Sequence, residues 1–149
     1  MQKIALSILF FFIFQSLSFT KENDYFLMLK NSKVNVRYGP SLDYPIKFVY
    51  KKKFLPIKVI DKKENFRRII DHKKNSGWIH ISQLSKSKSL ITTSQKILFK
   101  KPTKFSRPLV KLKKGRLLLI KKCKKNWCKV RTREFFGWVD KNNLWGITN

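Results

Sequence analysis

The side chains that most often carry chemistry in proteins are sparse in this sequence. Its two histidines, His72 and His80, have no cysteine or carboxylate cluster around them, so a metal site or an acid–base pair would lack partners. The grouped acids Asp61, Glu64 and Asp71 can form salt bridges with nearby lysines but do not indicate a two-carboxylate site. The pattern therefore predicts no catalytic residue, no metal and no cofactor, and a protein that binds rather than catalyses.

The two cysteines, Cys123 and Cys128, are spaced C-K-K-N-W-C. Residues that face each other across an antiparallel hairpin hold their Cβ atoms close enough for a disulfide. Two cysteines without a nearby histidine make an incomplete metal site. The spacing predicts a disulfide across a hairpin, with free thiols as the alternative, and such a bond fits a protein that leaves the cytoplasm.

Aromatic and cationic residues flank the first long loop of the sequence and form a candidate ligand groove. Such a combination suits a peptide, a glycan or a carboxylate ligand. The alternative is that the arginine, with Asn35, satisfies backbone groups of the loop. For Trp78, which follows Gly77, the alternative to a ligand contact is a structural role as a plug in the core or rim of a small barrel. The candidate groove residues are Arg37, Tyr38, Tyr44, Tyr50 and Trp78.

The charge balance is strongly positive, with 35 basic residues against 8 acidic ones and a formal net charge of +27. A field of this sign attracts polyanions such as nucleic acid, anionic membrane surfaces or acidic cell-wall polymers. Genome composition is the alternative, because Lys, Asn, Ile and Phe are enriched together and share A/T-rich codons. A candidate basic patch consists of Lys51, Lys52, Lys53, Arg67 and Arg68, or these residues are solvated strand edges where lysine prevents edge pairing.

The N-terminus has the pattern of a signal peptide over residues 1–18. Lys3 supplies a positive start, residues 4–14 form an apolar run, and small residues precede a cleavage point after Ser18. An uncleaved anchor is the alternative, although a run of about 11 residues is short for a bilayer. The signal predicts a periplasmic or secreted protein, and export argues against nucleic acid as the ligand.

The elements that must position these residues are short strands. Residues 33–38 alternate with period two and stop at Gly39-Pro40, and further apolar runs follow at 54–60, 66–71 and 76–81. The pattern then repeats: Gly77-Trp78-Ile79 recurs as Gly137-Trp138-Val139, Phe66–Ile69 as Trp127–Val130, Leu84 as Leu144, Pro40 as Pro102 and Val49 as Val110. The sequence predicts an all-β chain made of two copies of one unit, joined by the polar residues 85–89.

The first copy resembles the bacterial SH3 domain (SH3b). The motif that carries the resemblance is Val34-Asn35-Val36-Arg37-x-Gly39-Pro40-Ser41-x-x-Tyr44-Pro45, followed by Gly77-Trp78-Ile79. The second copy, with Cys123, Trp127, Cys128 and a closing Leu144-Trp145-Gly146, resembles its partner in an exported two-repeat family of Gram-negative bacteria. The resemblance covers almost all of the sequence after the signal.

The resemblance implies two five-stranded SH3-like β-barrels in tandem, which we place at residues 25–85 and 90–147. It also implies a non-catalytic module that binds cell-wall peptide, peptidoglycan or another envelope component through the first-repeat loop, with an assembly role among envelope proteins as the alternative. The sequence departs from the family pattern at Phe54, where a turn glycine is usual, and at Phe66 and His72, where larger aromatics are expected. The second copy lacks the arginine and glycine of the first loop, so a ligand groove common to both copies is in doubt.

Overall fold

The computed structural model describes residues 24–147, and the proposed signal peptide lies outside them. The described chain is built from short strands and one 3₁₀-turn. The first repeat contains β1 (Tyr25–Leu29), β2 (Val34–Arg37), β3 (Ile46–Tyr50), β4 (Pro56–Lys63), β5 (Phe66–Ile70), β6 (Ser76–His80), the 3₁₀-turn (Ile81–Gln83) and β7 (Leu84–Lys86). The second contains β8 (Ser89–Thr92), β9 (Lys96–Phe99), β10 (Pro108–Leu112), β11 (Leu117–Lys124), β12 (Trp127–Thr132), β13 (Phe135–Asp140) and β14 (Leu144–Trp145). None of these described elements is a helix long and apolar enough to span a membrane.

Each repeat forms one antiparallel sheet of seven strands. The strand order is β3-β2-β6-β5-β4-β1-β7 in the first sheet and β10-β9-β13-β12-β11-β8-β14 in the second. Adding seven to every label of the first order gives the second, so the two halves share one topology. The predicted all-β fold with two copies of one unit is confirmed. Each sheet has seven strands instead of the expected five. In the first repeat, the segment before β2 and the segment after the 3₁₀-turn form the strands β1 and β7, which pair with each other.

The strand registers show which residues of the two repeats are equivalent. Val36 pairs with Phe48 in the first repeat, and Leu98 pairs with Val110 in the second. Val110 is therefore the counterpart of Phe48, and its predicted match to Val49 is wrong by one residue. Both hairpins contain the same register shift beside this pair, so one constant offset of 62 residues relates Val36 to Leu98 and Phe48 to Val110.

The turn before β4 confirms that Phe54 occupies a glycine position. Phe54 has φ of 64° and its backbone N–H donates to the carbonyl of Leu29. The equivalent Gly115 has φ of 80° and donates to the carbonyl of Thr92, the counterpart of Leu29. Both turns need the left-handed conformation, which glycine adopts at least cost.

The two hydrophobic cores adjoin one another. Ile91 of the second repeat is buried within the first core, and Leu117 and Trp145 pack against it. The indole Nε1 of Trp145 donates to the carbonyl oxygen of Pro56 at 3.1 Å, and its ring meets Phe26 edge to face at 5.2 Å. The repeats therefore share a packed interface and are not two domains joined only by a flexible linker.

Candidate functional site

The first-repeat loop, residues 38–45, is held by backbone hydrogen bonds and by Arg37. Nη1 of Arg37 donates to the carbonyl of Tyr44 at 2.7 Å, and the N–H of Tyr38 donates to the carbonyl of Pro45. The Tyr44 ring lies on Gly39, where an added Cβ would come within 2.5 Å of ring atoms. Arg37 thus satisfies a loop carbonyl, which is the structural role considered for it from the sequence.

The same loop displays apolar side chains to solvent. Leu42 is 66% exposed, and Tyr38, Tyr44 and Ile46 are also exposed. Nζ of Lys47 lies 5.6 Å from the centre of the Tyr38 ring and donates to the carbonyl of Ser76. Exposed apolar residues that cluster in this way are typical of a recognition surface.

A cleft lies on each side of this loop, with volumes of about 500 and 400 Å³. Leu42 and His80 line both of them. The larger cleft is also lined by Arg37 and Ile46, and the smaller one by Phe66. We call this pair the loop clefts.

The five predicted groove residues are only partly brought together. Arg37 is the one that lines a loop cleft, while Tyr38 and Tyr44 form the exposed loop surface beside it. Trp78 is the strand neighbour of both Arg37 and Arg68. Because Gly77 and Ile79 on either side of it are buried, Trp78 points to the outer face of the sheet and is half-buried there.

Tyr50 lies elsewhere and has a structural role. It pairs with Val34, at the opposite end of the β2–β3 hairpin from Arg37, and its hydroxyl donates to Oδ2 of Asp71 at 3.0 Å. Burial raises the pKa of Tyr50 far above its ordinary value, and the negative charge of Asp71 raises it further.

Asp71 organises the turn between β5 and β6. Besides Tyr50, its carboxylate accepts from the backbone N–H groups of Lys73 and Asn75 and from the Asn75 amide. Burial would raise the pKa of Asp71, but these hydrogen bonds outweigh burial and lower the pKa. The aspartate is therefore an ionised turn-forming residue that is only 2% exposed.

The predicted basic patch is divided between two places. Lys52 lies near Lys73, beyond the end of β5, whereas Arg68 pairs with Asp61 close to the β4–β5 turn. Arg67 donates through Nη1 to the carbonyls of Glu64 and Phe66 at that same turn. Arg67 and Asp71, which mark the two places, are about 13 Å apart along the chain direction of β5. Lys51 and Lys53 flank Lys52 and are exposed.

The cysteine prediction is confirmed. Cys123 and Cys128 are opposed on β11 and β12 and form a disulfide with their Cα atoms 4.0 Å apart. Cys128 is fully buried in the second core, so the bond ties the hairpin to that core. Within residues 24–147, no three His, Cys, Asp or Glu side chains are grouped in a way that could hold a metal ion.

The second repeat has other residues at two positions of the candidate groove. Strand register puts Phe99 where the first repeat has Arg37, and Leu112 where it has Tyr50. Trp138, the counterpart of Trp78, is buried with Nζ of Lys122 at 5.9 Å from its ring centre. The plug interpretation of the tryptophans thus fits Trp138 better than Trp78.

Sequence reasoning missed Leu42, Ile46 and His80 as lining residues of the loop clefts. A signal for Leu42 was present, because an apolar residue between Pro40-Ser41 and Asp43 sits in a turn and cannot reach a core from there. Ile46 begins a strand and His80 ends one, so their convergence depends on the sheet order and has no local sequence signal.

The model of the family described as bacterial SH3 domain matches residues 30–86 and 94–146, well over half of the chain. The chain therefore belongs to the bacterial SH3 domain family, with two copies of the domain. Domains of this family are typically non-catalytic binding modules. No curated protein matches the sequence.

The solved structures to which this chain is similar share little sequence identity with it. The chain is similar to NlpC2 from Trichomonas vaginalis, with 10% identity, a TM-score of 0.38, and coverage of 83% of this chain and 48% of that one. It is also similar to an NlpC/P60 family protein from Bacillus cereus, with 12% identity, a TM-score of 0.38, and coverage of 81% and 56%. The chain thus spans about half the length of these proteins.

Proposed function

We propose that this chain is an exported, non-catalytic binding module that recognises cell-wall peptide or peptidoglycan through the first-repeat loop. The observation that carries the proposal is the group of exposed apolar side chains on the loop (Tyr38, Leu42 and Tyr44) and at the start of β3 (Ile46), beside two clefts. Membership of the bacterial SH3 domain family supports binding rather than catalysis, since its domains commonly bind peptidoglycan.

The groove in this proposal differs from the candidate groove that was predicted from the sequence. Leu42 and Ile46 provide apolar contacts in the larger loop cleft, and Arg37 and His80 provide polar ones. Tyr38 and Tyr44 extend the contact surface along the loop. Tyr50 supports the fold through Asp71 and is left out of the groove.

Retention on purified peptidoglycan sacculi at physiological salt tests the proposal. The Leu42→Ser/Ile46→Ser variant should lose most of its retention, because both side chains are exposed and their loss should affect the ligand more than the fold. Phe105→Ser is the matched control, since Phe105 is wholly exposed on the equivalent loop of the second repeat. Equal retention of all three proteins would contradict the proposal, as would retention of the unmodified protein that disappears on modest addition of salt.

Recognition of an envelope protein is the alternative, and one observation favours it. β3 is a terminal strand of its sheet, and Ile46 and Lys47 on it are exposed. An unpaired strand edge can accept a strand from a partner. Cross-linking in cells to one defined protein, together with no retention on sacculi, would favour this alternative.

Export through the signal peptide at residues 1–18 is part of the proposal and has its own test. Fractionation of cells that produce the full chain should place it in the periplasm or medium, beginning near Phe19 after removal of residues 1–18. Recovery of the uncleaved protein in the cytoplasm would contradict export.

A further inference from the structure

Two concave regions meet at the junction of the repeats, away from the loop clefts. Their volumes are about 480 and 650 Å³, and Lys52, Lys114 and Gly115 line both. We call the combined region the inter-repeat cleft. The cations on its walls come from both repeats and include Lys52, Lys73, Lys114, Arg116, Arg131 and Arg133.

These six cations have no counter-charge of their own. Within residues 24–147, none of their side chains forms an ion pair or a hydrogen bond. Among the described residues, Asp71 is the one carboxylate that lines the cleft, and its oxygens already accept four hydrogen bonds from Tyr50, Lys73 and Asn75. The cleft therefore carries a large excess of unpaired positive charge.

The cations are close enough to act on each other. The pKa of Lys52 is lowered, first by burial and then by the positive charges of Lys73 and Arg116. Arg116 belongs to the second repeat, so the repulsion extends across the junction. Packing between the repeats holds this cationic arrangement in place, and an anion bound in the cleft would offset the repulsion.

The floor of the cleft is apolar. Leu117 and Leu119 line it, and Arg131 is the strand partner of Leu119. The site thus combines a charged rim with apolar contact area, as ligand sites commonly do.

We propose that the inter-repeat cleft binds a ligand that carries several phosphate groups. A phosphate monoester has nearly two negative charges and three acceptor oxygens, whereas a carboxylate has one charge and two oxygens. The three arginines that line the cleft match phosphate because the planar guanidinium can donate two parallel hydrogen bonds to it. The same chemistry is offered by phosphorylated lipid headgroups and by free polyphosphorylated molecules.

Titration with inositol hexakisphosphate at physiological salt tests the site. The variant Lys114→Gln/Arg116→Gln/Arg131→Gln should weaken its affinity about tenfold or more, because several charge-assisted hydrogen bonds are lost. The matched control Lys100→Gln/Lys101→Gln/Lys104→Gln also removes three charges, from exposed positions in the second-repeat loop, and should change affinity about twofold at most. Conversion of the two arginines to lysine keeps the charge and should cause an intermediate loss.

Vesicles containing phosphatidic acid, whose headgroup is a phosphate monoester, are offered in parallel and distinguish the two sources of phosphate. Cleft-dependent binding to vesicles with weaker binding of the soluble probe assigns a lipid headgroup, and the reverse assigns a free ligand. Equal losses in the cleft and control variants would overturn the proposal, because net charge alone would then explain binding. Binding of polyglutamate with equal affinity, or no binding of either phosphate probe, would overturn it as well. Retention on sacculi should be unchanged in the cleft variant, which separates this inference from the loop proposal.

Discussion

At the scale of single residues, Asp71 is a buried titratable group that accepts four hydrogen bonds in the first repeat. Four hydrogen bonds lower its pKa, so the folded protein binds the proton less readily than the unfolded chain does. The stabilisation is fully present above the unfolded pKa of about 4 and is lost as pH falls through the lower folded pKa. Acid therefore weakens the turn that Asp71 forms between β5 and β6.

Asp71→Asn should lower the free energy of unfolding by about 1–3 kcal/mol at neutral pH, since buried donors lose a charged acceptor. The difference between the variant and the unmodified protein should shrink as pH falls through the unfolded pKa of about 4 and then through the lower folded pKa. Urea unfolding across this pH range measures both effects. Glu134→Gln, at an exposed position, is the control and should change neither, and a pH-independent difference for Asp71→Asn would contradict the argument.

Gly115 isolates the cost of backbone conformation from that of packing. An added Cβ would have nothing within 4 Å, while φ is 80°. Gly115→Ala should therefore lower the free energy of unfolding by about 1 kcal/mol through the left-handed conformation alone. Lys114→Ala next to it, which has no positive φ, should be close to neutral, and the same loss at both positions would show that φ is not the cause.

At the scale of elements, the β11–β12 hairpin is stabilised by the Cys123–Cys128 disulfide. The closed loop is short, so a chain-entropy estimate gives about 2 kcal/mol of stabilisation. Urea unfolding of the purified protein should shift to lower concentration on adding reductant. The Cys123→Ala/Cys128→Ala variant should not respond to reductant, and an unmodified protein that is equally insensitive would show that the bond contributes little.

The sequence predicted the elements much better than it predicted the site. Short alternating runs and turn residues predict strands, and two cysteines with four residues between them on a hairpin predict their bond, because these signals are local. The proximity of Arg116 to Lys52 and the hydrogen bond from Tyr50 to Asp71 both involve residues that are distant in sequence. Such contacts depend on strand order and on how the repeats pack, neither of which leaves a periodic pattern in the sequence.

The two copies of the fold carry different residues at equivalent positions. In the second repeat, buried Lys96 replaces Val34 and pairs with Asp140 at 2.6 Å, and Phe99 replaces Arg37. The first copy keeps the exposed apolar loop beside Arg37, whereas the second supplies most of the cations of the inter-repeat cleft. The two proposed sites therefore follow from divergence on a shared topology.

At the scale of the whole molecule, the shared interface predicts that both repeats unfold together. Ile91, Leu117 and Trp145 of the second repeat contact the core of the first, so the first core is incomplete without the second repeat. Thermal unfolding should give one transition whose calorimetric and van't Hoff enthalpies agree. Trp145→Ala should lower the free energy of unfolding by about 3 kcal/mol by removing a large packed ring.

Trp145→Phe separates packing from hydrogen bonding at this interface. It keeps most of the ring contact with Phe26 and removes the indole donor to Pro56, so it should cost about 1 kcal/mol and preserve the single transition. If the unmodified protein unfolds in two separate transitions, the repeats are energetically independent. In that case the cations of the inter-repeat cleft would not be held together, because only packing between the repeats opposes their repulsion.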